Sequence, residues 1–227
     1  MSKLKDEQME QDALIEYSTR FLYFYRNNKG AVIGTGVGIL LAIGLTIGYF
    51  VWNMQQESEA EILLGQAQEY YMEGDLERSL YGDDERAEPG FLHIADNFSR
   101  TRSGNLAQYY SAVLLADIGE YERAIDYINR FSVPEGILGI PPITLHASIL
   151  AELERYDEAA RRYLDAAEWA VNETTTPANL LEASIAFETA GNEEQAIRQL
   201  ERILDEYPDS QQAGEAERRL GRLTAGR

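Results

Sequence analysis

Apolar positions along the chain fall into three regimes. Up to residue 29, Leu14, Tyr17, Phe21, Phe24 and Tyr25 recur at helical spacing within DALIEYSTRFLYFYRNNK. That pattern predicts either an amphipathic helix at a membrane surface or an extension of the helix that follows. From Ala31 to Trp52 the run AVIGTGVGILLAIGLTIGYFVW is 22 residues without a charge. At about 1.5 Å rise per residue it crosses the roughly 30 Å hydrocarbon core of a bilayer. Beyond Trp52, apolar residues return at helical spacing, broken by polar stretches rich in Gly and Pro. The divisions expected are a cytoplasmic segment (1–29), a transmembrane helix (30–52), a degenerate first repeat with an inserted loop (53–104), and three regular repeats with a capping helix (105–227).

The repeat rests on spacing. Gly119-Glu-Tyr-Glu-Arg-Ala124, Glu154-Arg-Tyr-Asp-Glu-Ala159 and Gly191-Asn-Glu-Glu-Gln-Ala196 align as turns between paired helices, their alanines 35 and 37 residues apart. Twelve residues before each alanine stands a small residue: Ala112, Ala147, Ser184. Four after it stands a large apolar one (Ile128, Tyr163, Leu200), and seven after it come Phe131, Ala166 and Ile203. Small residues let two helices cross closely, and large ones fill the space beside the crossing. One pair cannot bury its apolar face alone, so pairs stack. A degenerate unit precedes these, with helix Glu59–Glu73 and turn Gly74-Asp-Leu-Glu-Arg-Ser79. Tyr81–Gly90 then reads as a polar loop and Phe91–Ser99 as a short helix. Further breaks fall at Phe131–Pro142 and Asn172–Pro177. A last helix, about Ser210–Leu223, is polar enough to be a cap.

This period, with Pro208 twelve residues after Ala196, resembles the tetratricopeptide superfamily, although the family's early Trp is missing. The resemblance implies an all-α fold: one N-terminal transmembrane helix, then a short α-solenoid of antiparallel helix pairs closed by a C-terminal capping helix. The layout, with PGFLHIADNFSRTRSGNLAQYYSAVLLADIGEYERAIDYI at its middle, resembles the YfgM-like group of bacterial inner-membrane proteins ancillary to the Sec translocon. That implies a periplasmic scaffold working with the translocon and a membrane-anchored chaperone, with no catalytic residue to carry over. In tetratricopeptide arrays the first helix of each pair lines a groove. The matching positions here are Gln68 and Tyr71; Tyr109, Val113 and Asp117; Thr144, Ser148 and Glu152; and Leu181, Ile185 and Glu188. Their acids would favour a basic or extended polypeptide.

Charge sharpens the picture. The net charge is −19, yet residues 1–29 balance five acids against five bases. Residues 53–227 carry 34 acids and 15 bases, all Arg. Such a domain repels nucleic acid and anionic lipid surfaces alike. Arg20, Arg26 and Lys29 precede the apolar run, while Glu57, Glu59 and Glu61 follow it. The positive-inside rule therefore places the N-terminus in the cytoplasm and the C-terminal part across the membrane. A cleaved signal is disfavoured: the apolar run is too long, starts late, and no small-x-small site follows it. Gly30, Gly34, Gly38, Gly44 and Gly48 fall within roughly 120° of arc on that helix. Such a stripe suits close approach by another helix, from a second copy or a membrane partner.

Candidate chemistry is sparse. The chain has no Cys, which removes disulfides, thiolate metal sites and Cys nucleophiles. Its two histidines, His93 and His146, have no second ligand at helical spacing, and both read as packing or boundary residues. Asp83-Asp84-Glu85 lacks the alternating oxygens of a calcium loop and reads as solvated. No phosphate-cradling loop or nucleophile elbow is present. The expectation is a protein-binding scaffold, not an enzyme, that takes no cofactor.

Overall fold

The computed structural model describes residues 23–225. Leu14, Tyr17 and Phe21 of the expected amphipathic helix lie outside the described residues, whereas residues 23–27, with Phe24 and Tyr25, are helical. The chain divides into two compact units, Met1–Gln55 and Gln56–Arg227.

Helix α1 runs Lys29–Glu73. It is the one helix among the described residues long and apolar enough to cross a membrane. Leu40, Leu41, Leu45 and Phe50 are exposed along it. Thr35 and Thr46 turn their hydroxyls back onto the carbonyls of Ala31 and Ala42, each at 2.8 Å. Such back-bonding leaves no polar hydrogen unsatisfied, which an apolar solvent demands. The sequence suggested one helix ending near Trp52 and another starting near Glu59. The structure has a single helix, because Asn53–Ser58 contains neither Gly nor Pro to break it.

In the second unit Ala60, Leu64, Ala67 and Tyr70 of α1 are buried on one face. Then come α2 (Leu76–Tyr81), β1 (Gly82–Asp83), β2 (Glu88–Pro89), α3 (Phe91–Asn97), α4 (Arg102–Asp117) and α5 (Tyr121–Arg130). A 3₁₀ turn at Gly136–Gly139 leads to α6 (Ile140–Glu152), α7 (Tyr156–Trp169), α8 (Thr175–Thr189), α9 (Glu193–Glu206) and α10 (Ala213–Ala225). Helices α4 with α5, α6 with α7, and α8 with α9 form antiparallel pairs, and α10 packs on α9. The first helices of successive pairs, α4, α6 and α8, also touch one another.

The crossing residues sit where the spacing placed them. Ala112, Ala124, Ala147, Ala159 and Ala196 are fully buried, as is Ser184 to within a per cent. Ile128, Tyr163, Leu200, Ala166 and Ile203 are buried beside them. Four turns share one geometry. The first helix ends in a left-handed residue: Gly74 (φ 81°), Gly119 (φ 79°), Glu154 (φ 58°) or Gly191 (φ 78°). In each, that residue's N–H reaches the carbonyl three residues back, and the next N–H reaches five back, as in Gly119 to Ala116 (3.0 Å) and Glu120 to Leu115 (2.8 Å). These bonds occupy carbonyls that the helix end leaves free.

Residues 81–90 depart from the expected solvated loop. They make a small antiparallel hairpin pairing Gly82 with Pro89 and Asp83 with Glu88. Asp83 is buried, and its Oδ1 accepts from the Glu85 and Arg86 N–H groups at 3.0 and 3.3 Å. Its Oδ2 faces Arg78 and Arg86 at 3.7 and 3.8 Å. The hydroxyl of buried Tyr70 donates to Glu88, fastening the hairpin to α1. Prolines behave otherwise than as simple breaks: Pro141 and Pro142 lie in the first turn of α6, where missing N–H groups cost nothing. Asn172, three residues before α8, closes the turn that leads into it, its Oδ1 accepting from the Thr174 and Thr175 N–H groups.

Candidate functional site

Every expected groove position reaches the surface. Gln68, Tyr71, Tyr109, Val113, Thr144, Ser148, Leu181, Ile185 and Glu188 are half-buried, while Asp117 and Glu152 are exposed. Gln68 and Tyr71 lie on α1 and the others on the first helix of a pair, so the helical register that buries the alanines turns these side chains partly outward.

At the N-terminal end, aromatic rings gather. Phe91 stacks on Tyr110 at 4.7 Å and 11°, and Tyr71 meets Tyr110 at 5.5 Å. Tyr109 lies 5.5 Å from Phe131 and 6.1 Å from Tyr110. Gln68 Nε2 donates to the Tyr110 hydroxyl at 3.4 Å. Burial raises the pKa of the Tyr109 phenol, and Tyr110 and Tyr71 add to the effect. Phe91 and Phe131 were not expected here. They come from α3 and the end of α5, and only tertiary packing brings them to the Tyr109–Tyr110 pair.

Midway, Thr144 Oγ1 donates to Asn179 Oδ1 at 2.8 Å and links α6 to α8. The Ser148 hydroxyl turns back to the Leu145 carbonyl. Burial pushes the nearby Tyr163 phenol up to about 12, with Glu182 and Glu152 contributing. Glu152 also raises the pKa of Tyr121.

The three acids sit at the C-terminal ends of α4, α6 and α8, whose last turns hold no base. Their carboxylates oppose the helix dipole. Glu188 is compensated: Arg219 (3.1 Å) and Arg222 (2.7 Å) of α10 both pair with it. Among the described residues, Asp117 and Glu152 have no ion pair. The capping helix thus pairs with the last predicted acid, while Glu152 meets the Tyr121 hydroxyl and Asp117, among the described residues, meets no cation.

His146 is buried, as a packing residue should be, whereas His93 is exposed on the surface of α3 and does not join the core. Arg162 Nε and Nη2 lie 3.2 and 3.1 Å from His146 Nδ1, so the ring is neutral with its proton on Nε2. Burial first, then the Arg162 and Arg155 charges, hold its pKa down at about 4. It lines a cleft of about 340 Å³ with Asn129, Arg155, Glu158 and Asp165. There Arg155 is taken by Glu158 and Arg162 by Asp165. Among the described residues, no three His, Cys, Asp or Glu side chains gather to hold a metal ion.

On α1, a Cβ built at Gly30, Gly34, Gly38, Gly44 or Gly48 meets nothing within 4 Å, so that face is open.

Comparison with curated proteins finds no match, and comparison with solved structures finds none. A family model does match one stretch: residues 178–210, which run from α8 through the turn at Gly191 and α9 to Ser210, match the tetratricopeptide repeat, a module whose domains typically bind other proteins.

Proposed function

We propose that this protein is a membrane-anchored scaffold that binds other polypeptides through the first helices of its repeats. The observation that carries this reading is a pair of carboxylates without an ion pair among the described residues, Asp117 and Glu152 (the latter hydrogen-bonded to Tyr121), at helix ends that disfavour them, beside half-exposed aromatic rings. Acid at such a place costs stability, which a basic partner segment would return. An extended, basic, partly aromatic or aliphatic segment fits that chemistry, with Tyr71 and Tyr109 as apolar anchors.

The span at 30–52 would anchor the chain in a bacterial inner membrane, N-terminus in the cytoplasm and repeats in the periplasm, following the charge asymmetry of its flanks. In this reading the protein assists translocation or recruits a chaperone beside the Sec translocon, as the resemblance of its layout implies. A second reading is favoured by the open glycine face of α1: a structural scaffold, self-associated or joined to another membrane helix, for a secretion, division or respiratory complex. Neither reading calls for a catalytic group or a cofactor.

Photocrosslinking in intact membranes tests both. A photoreactive residue at Tyr109 is expected to capture translocon subunits, a membrane chaperone or emerging chains. One at Gly38 reports what covers the glycine face. Self-dimers alone, or another envelope complex, would replace the translocation reading with the assembly one. Capture of no protein at Tyr109 would remove the binding function from this surface.

A further inference from the structure

Hydrogen bonds trace one continuous edge of the repeat unit. Glu57, at the unit's first turn, accepts from the Arg102 and Ser103 N–H groups at 2.7 and 3.0 Å, at the start of α4. One turn on, Asn105 exchanges bonds with Ser132, accepting from its N–H at 2.7 Å and donating to its carbonyl at 3.1 Å. Pro134, two residues later, accepts from Trp169 Nε1 at 3.2 Å. Gly139 closes against the same indole, so tightly that a Cβ there would lie 2.1 Å from the ring nitrogen. The segment Pro134–Gly139 is therefore pinned on Trp169, yet its apolar residues point away from the core. Ile137 is 63 % exposed, Leu138 72 %, Trp169 43 % and Val171 63 %. Four large apolar side chains on one loop edge of an otherwise acidic unit are an unpartnered surface.

We infer that this edge rests on the lipid bilayer, with Ile137 and Leu138 entering the headgroup boundary and Trp169 lying at it. The inference rests on the reading of residues 30–52 as a membrane span. Trp52, the last residue of that span, and Glu57 are five residues apart in sequence. Whatever its conformation, a chain of that length reaches about 18 Å at most. Glu57, where the edge begins, is thereby held near the membrane surface. The side chains have the right chemistry: an indole suits the water–lipid boundary, and Ile and Leu suit the layer beneath it. Glu135 and Glu173, exposed in the loops beside them, make attraction to anionic headgroups an unsuitable driving force. Contact here is apolar, and anionic lipid does not strengthen it.

The chain has two tryptophans, which makes the test direct. Full-length protein is placed in zwitterionic nanodiscs whose lipids carry a spin-label quencher near the headgroup or near the acyl terminus. Trp169→Phe leaves Trp52 to report the span, and Trp52→Phe leaves Trp169 to report the edge. Both are expected to lose most of their emission to the shallow quencher. Ile137→Ser with Leu138→Ser, at exposed positions that leave the core intact, restores the emission of Trp169 but not of Trp52. Adding anionic lipid leaves the quenching of Trp169 unchanged or weaker. Quenching of Trp52 with full emission from Trp169 overturns the edge contact alone and assigns the patch to a protein or a second copy. Full emission from both removes the span, and the edge contact with it.

Discussion

Glu154 occupies a position that its three counterparts give to glycine, and replacing it by glycine should stabilise the protein. The four turns are alike in both hydrogen bonds: Glu154 N–H reaches Ala151 O at 2.9 Å and Arg155 N–H reaches Leu150 O at 2.9 Å, matching Gly191 to Glu188 at 3.0 Å and Asn192 to Phe187 at 2.8 Å. At φ 58° a side chain crowds its own backbone, at a cost of about 1 kcal/mol or somewhat more. Glycine relieves this but loses about 0.4–1 kcal/mol through its freer unfolded state. Glu154→Gly should therefore gain roughly 0.5 kcal/mol. The reciprocal change isolates the backbone term. A Cβ at Gly119 or Gly191 meets nothing within 4 Å, so Gly191→Ala should cost roughly 0.5 kcal/mol by the same difference, with no clash involved. The assay is urea unfolding of the full chain in detergent, followed by helical circular dichroism, with the m-value checked for constancy. If Glu154→Gly destabilised as much as Gly191→Ala, the side chain would be making a compensating contact, and the backbone account of these turns would be wrong.

Removing the remote cap with Glu57→Ala should cost about 1 kcal/mol at neutral pH, because three hydrogen bonds converge on that carboxylate. Burial opposes its charge, but those bonds win and lower its pKa, so the difference from wild type should be full above the ordinary carboxylate range and fade as pH falls through the lowered value. His146, held neutral with a pKa of about 4, works in the same sense over another window: stability is full above about 6.5 and falls toward 4, because the unfolded chain takes up the proton first. Melts of wild type and His146→Gln should converge by on the order of 1 kcal/mol between pH 7.5 and 5, and a constant gap would refute this. Ser111 is fully buried with an unpartnered hydroxyl, so Ser111→Ala should gain about 1 kcal/mol in the same melts. Asp117→Asn with Glu152→Gln should raise stability by about 0.5 kcal/mol while lowering the crosslinking yield at Tyr109, and a fall in both would make these acids structural.

The parts of the fold legible in the sequence are those set by local spacing. Ala112 and Ala124, Ala147 and Ala159, and Ser184 and Ala196 could be paired by counting, since a close crossing requires a small residue at each position. Two-residue strands have no period to detect. The hairpin at Gly82–Pro89 is specified by Tyr70, Arg78 and Arg86, whose partners are tertiary. Likewise the aromatic cluster joins α1, α3, α4 and the end of α5, and of its members the groove spacing points only to Tyr71 and Tyr109. Ile137 and Leu138 fall in Phe131–Pro142, which the sequence marks only as a break between helices. Only the bond from Trp169 to Pro134 shows that the segment is fixed with its apolar side outward.

The three groove acids separate what is structural from what is available for a partner. Each closes a first helix in the position least favourable to negative charge. Glu188 has its compensation inside the chain, from Arg219 and Arg222 on the capping helix, and so belongs to the solenoid's termination. Asp117 and Glu152 stand two repeats and one repeat earlier, where no capping helix reaches. If terminating arginines satisfy the last acid, the same chemistry presented by another polypeptide would satisfy the two before it. Within the proposed scaffold, α10 therefore serves as an internal example of the ligand: a basic segment laid across the helix ends, contributing guanidinium groups to carboxylates that the fold itself leaves without a cation.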